Sequence, residues 1–133
     1  MFKLGIKYLS FFFGIVSILS FFNILYSYYF NLYLNLYTYY FTLLASSTLF
    51  TTFFKFGKYD IKSNIFQRVL TIFLGYLLIP LVLSIPFYFS IYNLTFSNSF
   101  FEAISGFTST GFTIFENIKL IDQSLIIWRS TTQ

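Results

Sequence analysis

The chain has 133 residues, of which 57% are hydrophobic, 26% are aromatic and only 9% are charged. Soluble domains carry roughly 25% charged residues, so this composition excludes an ordinary water-facing surface and points to lipid. The chain contains neither Cys nor His, which excludes disulfides, thiolate or imidazole metal sites and Cys- or His-dependent catalysis. We therefore expect no enzyme activity and no cofactor. The net charge of +4 is scattered along the chain, so nucleic acid is not an expected partner.

The first apolar stretch, residues 8–54, contains no charged residue. As one helix it would be about 70 Å long, more than twice a hydrocarbon core of about 30 Å. It must therefore fold back, and the turn-prone Asn31 and Asn35 predict the position of the break. We expect two helices, over residues 8–30 and 36–54, each long enough to span a membrane.

A second apolar stretch predicts a third span, over roughly residues 67–92. Pro80 and Pro86 lie within it. Each proline removes a backbone donor from the helix and favours a kink. Three spans are thus expected in all.

Basic residues predict the orientation of these spans, because cytoplasmic flanks hold an excess of Lys and Arg. They precede the first span and fill the loop between the second and third spans, as Lys3, Lys7, Lys55, Lys58, Lys62 and Arg68. We expect the N-terminus and this loop to be cytoplasmic and residues 93–122 to be external, in a multi-pass protein of the plasma membrane. A cleaved signal peptide is the weaker interpretation, because the first apolar run is too long and no Ala-x-Ala site is present.

Residues 97–113 read SNSFFEAISGFTSTGFT. Ser99 and Glu102 have the spacing of a capping box, which predicts the start of a helix. Gly106 and the Thr-Ser-Thr-Gly run after it predict that this helix ends near Phe107. Its length would be about 16 Å, roughly half of the bilayer core. The pattern therefore indicates a re-entrant half-helix and not a full span.

The residues after the half-helix predict a cation filter. Non-helical backbone at membrane depth is tolerated only where it is buried in protein or lines a water-filled path. Carbonyl oxygens can replace the hydration shell of a cation, and Gly111 permits the backbone angles that direct them inward. A half-helix that enters from outside also points its negative C-terminal end at the membrane centre, which favours a cation over an anion.

The run FFEAISGFTSTGFT, followed by IDQSLIIWRSTTQ up to Gln133, resembles the first pore loop and the start of the next helix in TrkH-type potassium uptake subunits of the Trk/Ktr/HKT cation transporters. The resemblance implies an all-α membrane fold of the potassium-channel type. Two N-terminal transmembrane helices and a cytoplasmic loop would occupy residues 1–65. The first pore repeat would occupy residues 66–133 and stop at the start of its second helix. The first quarter of the filter would be Thr108, Ser109, Thr110, Gly111 and Phe112.

The same resemblance implies potassium as the transported ion, because the glycine that related plant transporters replace by serine when they prefer sodium is present as Gly111. The implied partners are the lipid bilayer, the remaining pore repeats of a full-length protein, a second subunit in a homodimer and a cytoplasmic nucleotide-binding regulatory subunit. The chain as given would be an N-terminal fragment of such a protein.

Two other classes of protein remain open. A small non-transporting membrane anchor or assembly protein, or an inactive transporter remnant, would explain the spans but not the half-helix that runs into TSTGFT. An intramembrane serine hydrolase is the weakest alternative, because Ser109 is not in a G-x-S-x-G elbow and neither a histidine nor an intramembrane lysine is available as base.

The charged residues near the predicted filter each allow two interpretations. Glu102, Glu116 and Asp122 would concentrate cations at the pore mouth, or they would cap helices and occupy a solvated loop. Arg129 lies in the helix that Asp122 is expected to cap. It would tune ion passage, or it would form a structural ion pair, since an unpaired charge in lipid is costly.

Overall fold

The structure, a computed structural model, describes residues 6–57 and 65–133. Within these ranges all regular elements are helical. They are α1 (Ile6–Tyr29), α2 (Leu36–Phe56), α3 (Ile65–Leu83), α4 (Ile85–Tyr88), α5 (Phe96–Phe107) and α6 (Gln123–Thr131), with a 3₁₀ turn at Ile118–Leu120. The sequence prediction of an all-α chain therefore holds for the described residues. Three of the lysines used to predict orientation, Lys3, Lys58 and Lys62, lie outside them.

Helices α1 and α2 form the antiparallel hairpin that the sequence predicts. The chain turns between Tyr29 and Leu36, and Asn31 has a φ of +57°, in the left-handed region that asparagine tolerates better than most residues. At the other end of the hairpin, the Lys7 ammonium lies over the ring of Phe54, 4.9 Å from its centroid. This contact keeps the start of α1 beside the end of α2.

Two helical stretches are long and apolar enough to cross a membrane, Lys7–Tyr29 with 23 residues and Ile65–Tyr88 with 24 residues. Helix α2 has a comparable length of 21 residues but is rich in Ser and Thr. Many of these hydroxyls donate to carbonyl groups one turn earlier, as Thr42 Oγ1 does to Thr38 O at 2.7 Å. Large apolar side chains cover the outer surfaces of the helices, which is typical of contact with lipid or another protein. The second predicted span is therefore long enough to cross a membrane, but its composition is more polar than that of the other two.

The third predicted span is interrupted near its two prolines. Helix α3 contains Pro80 and ends at Leu83, and α4 begins at Ile85 with Pro86 in its first turn. The Ser84 N–H still donates to Pro80 O at 2.9 Å, but Pro86 has no N–H to continue the ladder. The helix irregularity that the two prolines predict is therefore present in the third span.

The core joins all six helices around Trp128, the single tryptophan of the chain. Trp128 is completely buried, and its indole lies against Tyr39 with ring centroids 6.0 Å apart. Its N–H donates to Leu83 O at 3.1 Å, beside the proline interruption. Buried contacts thus cross between residues 1–65 and 66–133, and the division of the chain at that boundary stays a prediction.

Hydrogen bonds of the Asn35 side chain join three loops at one end of the helices. It is fully buried, its Nδ2 donates to Asp122 Oδ2 at 2.8 Å, and its Oδ1 accepts from the Ile91 N–H at 3.1 Å. The Asp122 N–H in turn donates to the Tyr92 hydroxyl at 2.7 Å. The α1–α2 turn, the segment after α4 and the start of α6 therefore lie at the same end of the molecule, as the predicted topology requires.

We expect Asn35→Ala to lower the free energy of unfolding by about 1–3 kcal/mol, because it removes two hydrogen bonds of a fully buried side chain and leaves the Ile91 N–H without its partner. Thermal unfolding in detergent, followed by circular dichroism, measures the change. Tyr33→Phe is the control: it removes an exposed hydrogen bond to Asn31 in the same turn and should change stability little. Equal effects of both substitutions would contradict the role of Asn35.

Candidate functional site in the loop after helix α5

Helix α5 has the length expected of a half-helix. Its 12 residues span about 18 Å, roughly half of a bilayer core. The predicted capping box is wrong, since the helix begins one turn earlier than Ser99. Thr95 is the N-cap, and its hydroxyl accepts from the Asn98 N–H at 3.3 Å. Ser99 donates its hydroxyl to Thr95 O, and Glu102 is directed away from the helix start by the partners described below.

The C-terminal end of α5 lies close to α6. A Cβ atom added to Gly106 would lie 2.8 Å from the Thr132 hydroxyl, so only glycine permits this approach without movement of Thr132. The helix then ends through two turn-type hydrogen bonds, from the Ser109 N–H to Gly106 O at 2.9 Å and from the Thr110 N–H to Ser105 O at 3.0 Å. The predicted end near Phe107 is thus confirmed.

The loop of residues 108–113 is non-helical and twice has positive φ, at Ser109 (+55°) and Gly111 (+77°). Glycine adopts such angles at no steric cost, whereas they are uncommon for other residues. The hydroxyls of Thr108 and Thr110 are directed back to α5, where they donate to Ile104 O at 2.7 Å and Ser105 O at 3.2 Å. The outward surface of the loop therefore includes backbone as well as the exposed ring of Phe112.

The carbonyl groups of the loop fall into two sets. Gly111 O and Phe112 O both accept hydrogen bonds from Arg129 Nη2, at 3.2 Å and 2.9 Å, and Phe112 O also accepts from the Ser105 hydroxyl at 2.6 Å. Among the described residues, no hydrogen bond uses the three preceding carbonyls, those of Thr108, Ser109 and Thr110. Residues 108–112 are exposed. The first set anchors the loop, and the second set is available to a ligand.

Glu102 and Arg129 form the charged support of the loop. Glu102 is fully buried, and its Oε1 accepts from the Thr113 hydroxyl at 2.7 Å and from the Ile114 N–H at 2.6 Å. Arg129 Nε lies 3.0 Å from Glu102 Oε2, although its N–H is not aligned for a hydrogen bond. The Arg129 side chain is 18% exposed. The pair therefore holds the C-terminal half of the loop, where Arg129 binds the two carbonyls before Thr113 and Glu102 binds Thr113 itself.

This ion pair distinguishes between the interpretations that the sequence leaves open for Glu102 and Arg129. A fully buried carboxylate cannot attract ions at a pore mouth, so that interpretation of Glu102 is wrong. Arg129 forms the structural ion pair, and its charge is balanced where it touches the loop. Asp122 caps α6, as expected, and accepts from the Ser124 hydroxyl at 2.7 Å. Glu116 is exposed, and its role at a pore mouth stays a prediction.

The contacts that hold the loop have little signal in the sequence. Glu102 and Arg129 are opposite charges in stretches with few other charged residues, which was the available signal for their pairing. Ser105 gave no signal, because its hydroxyl meets Phe112 O only after the chain has turned back. The structure brings all five predicted filter residues, 108–112, into one exposed loop, and their proposed contact with an ion stays a prediction.

Comparison with known proteins gives one informative similarity. The chain is 32% identical over 60 residues to a protein of Methanocaldococcus jannaschii described as an uncharacterized cation transporter. The matched stretch covers 45% of this chain and 13% of that protein, so the chain spans a small part of its relative. No family model matches the chain, and no solved structure matches it. The similarity is to a cation transporter in general, and the narrower resemblance to Trk-type subunits stays a prediction.

We expect Arg129→Gln to lower the free energy of unfolding by about 3–5 kcal/mol, because it leaves the Glu102 carboxylate buried without a counter-charge. The double variant Glu102→Gln/Arg129→Gln should lose less than the sum of the two single variants, since it leaves no isolated charge. Thermal unfolding in detergent measures all three. Glu116→Gln, an exposed control, should stay within about 0.5 kcal/mol of the unsubstituted chain. Strictly additive losses would contradict the coupling.

Proposed function

We propose that this chain supplies one part of a cation-conducting path across the plasma membrane, with potassium as the ion. The observation that carries the proposal is a half-helix, α5, that ends in an exposed loop in which the carbonyls of Thr108, Ser109 and Thr110 have no hydrogen-bond donor among the described residues. The sequence similarity to a cation transporter supports the ion's charge. Potassium rests on the resemblance to Trk-type subunits and on Gly111.

The electrostatics of the loop favour a cation. The C-terminal end of a helix carries a partial negative charge, and α5 ends where the free carbonyls begin. Carbonyl oxygens replace the water molecules that a cation loses when it enters a narrow path. The positive charge of Arg129 would oppose this, but Glu102 balances it at 3.0 Å. The site therefore presents oxygen atoms without a net positive charge.

The five predicted filter residues would have two roles. Thr108, Ser109 and Thr110 would coordinate the ion, because their carbonyls are available. Gly111 and Phe112 would hold the loop in place, because their carbonyls accept from Arg129. Gly111 would then affect selectivity through its φ of +77°, which sets the direction of the carbonyls before it.

One loop supplies only a fraction of the oxygens that surround a dehydrated ion. The proposal therefore includes further pore repeats in a full-length protein, each contributing a similar loop. A homodimer and a cytoplasmic nucleotide-binding regulatory subunit belong to the same proposal through the Trk-type resemblance. Transport, and not catalysis, would be the activity.

In the full-length protein that contains this segment, Gly111→Ser should reduce the preference for potassium over sodium by about tenfold or more. A side chain at a φ of +77° is strained, so the loop would change its angles and move its carbonyls. Uptake of the two ions in a potassium-uptake-deficient bacterial strain, at matched protein levels, measures the ratio. Phe101→Leu, an exposed apolar change on α5 outside the loop, is the control and should keep the ratio. An unchanged ratio in Gly111→Ser would count against the filter.

Single cysteines test the proposed orientation, since the chain has none of its own. With the N-terminus in the cytoplasm, an impermeant thiol reagent added to intact cells should label Asn117→Cys and should label Lys58→Cys only after the cells are opened. The opposite pattern would reverse the orientation. Labelling of both residues in intact cells would place the two segments on the same side and contradict the topology.

A further inference from the structure

Ser105 lies in the last turn of α5 and is almost completely buried. Its side chain contacts the loop that follows the helix. The Ser105 hydroxyl donates to Phe112 O at 2.6 Å and accepts from the Thr110 hydroxyl at 3.1 Å. The Ser105 carbonyl also accepts from the Thr110 N–H at 3.0 Å. One residue of the helix therefore binds the loop on both sides of Gly111.

The position of these contacts matters because Gly111 is the most adaptable residue of the loop. Its φ is +77°, and a glycine can leave such an angle for many others at little steric cost. A loop that contains a glycine keeps one set of carbonyl directions only if the residues beside the glycine are held. Ser105 holds both of these residues, Thr110 and Phe112, to the end of α5.

The contact of Ser105 with Phe112 O differs from that of Arg129. Arg129 Nη2 is shared between Phe112 O at 2.9 Å and Gly111 O at 3.2 Å, whereas the single hydroxyl proton of Ser105 goes to Phe112 O over a shorter distance. Arg129 also balances the buried charge of Glu102, so its loss disturbs the ion pair as well as the loop. Ser105 is neutral, and removal of its hydroxyl leaves the ion pair in place.

The Ser105 hydroxyl also separates the two sets of loop carbonyls. It holds Phe112 O towards α5, while the carbonyls of Thr108, Ser109 and Thr110 accept no hydrogen bond from the part of the chain that the structure describes. Discrimination between cations depends on the number and direction of the oxygens around the ion. A loop whose C-terminal half could rotate would offer different oxygens to different ions.

We propose that Ser105 is a positioning residue for ion selectivity. Its hydroxyl fixes Thr110 and Phe112 to the end of α5 and thereby keeps the three free carbonyls in one arrangement, without touching the ion itself. The inference rests on the proposed function, because it requires the loop to coordinate a cation. It adds a selectivity role for a buried, uncharged residue of the half-helix, outside the five predicted filter residues.

In the full-length protein that contains this segment, Ser105→Ala should lower the preference for potassium over sodium about fivefold, the effect of losing one hydrogen bond. Uptake of the two ions in a potassium-uptake-deficient bacterial strain, at matched protein levels, measures the ratio. Ser99→Ala is the matched control, because Ser99 is a fully buried serine of the same helix whose hydroxyl donates to Thr95 O, away from the loop. It should keep the ratio. Ser105→Thr retains a hydroxyl and should restore most of the preference.

Thr110→Val tests the same contacts from the loop, in case Ser105→Ala fails to fold. Valine keeps the shape of the side chain and the carbonyl of residue 110, but it removes the hydroxyl that binds Ser105. The ratio should fall, by less than in Ser105→Ala, because the hydrogen bond to Phe112 O remains. Since the two substitutions remove a shared contact, the double variant should lose less than the product of the two single effects.

The outcomes separate this role from the proposed function. If Gly111→Ser lowers the ratio while Ser105→Ala and Thr110→Val keep it, the loop is a filter that does not need Ser105, and the inference is wrong. Reduced uptake of both ions at an unchanged ratio in Ser105→Ala would also overturn it, because a purely structural residue changes the amount of active protein and not the ion preference. An equal loss of preference in Ser99→Ala would assign the effect to α5 as a whole. An unchanged ratio in both Gly111→Ser and Ser105→Ala would overturn the filter and the inference together.

Discussion

Glu102 and Arg129 cannot remain charged in apolar surroundings without each other, and most of the candidate site follows from that constraint. Once the two side chains meet, their remaining hydrogen-bonding atoms are fixed in position. Glu102 accepts a hydrogen bond from the Ile114 N–H. Arg129 donates to the carbonyls of Gly111 and Phe112. The half-helix, the loop and α6 therefore form one unit, in which a change of one charge alters the course of the backbone.

Polar contacts supply much of the specificity in this molecule. Lipid tails are as apolar as leucine, so apolar packing by itself does little to select one arrangement of helices in a membrane. The buried amide of Asn35 has partners in two other loops, and the indole N–H of Trp128 has a partner on α3. These directional contacts fix how α6 lies against α2 and α3, while the surrounding Phe and Leu side chains fill space.

The features predicted from the sequence are those with local signals. Two asparagines marked the hairpin turn, and a glycine followed by small polar residues marked the end of α5. The spacing of Ser99 and Glu102 gave a local signal that was wrong, for an energetic reason. An N-cap contributes about 0.5–2 kcal/mol, whereas leaving one partner of a buried ion pair unpaired costs about 3–5 kcal/mol. Glu102 therefore pairs with Arg129, a partner 27 residues away that the spacing could not indicate.

The hydroxyl-rich composition of α2 has a consequence for biosynthesis. A translocon releases a segment sideways into lipid according to its hydrophobicity, and α2, with its many Ser and Thr residues, is a weaker candidate for release than α1. In the folded chain Thr38, Thr42 and Ser46 are completely buried. The more apolar α1 would thus have to shield these hydroxyls from lipid as soon as α2 leaves the translocon. The hairpin turn at Asn31 makes this possible, because the two helices can enter the bilayer as a preassembled pair.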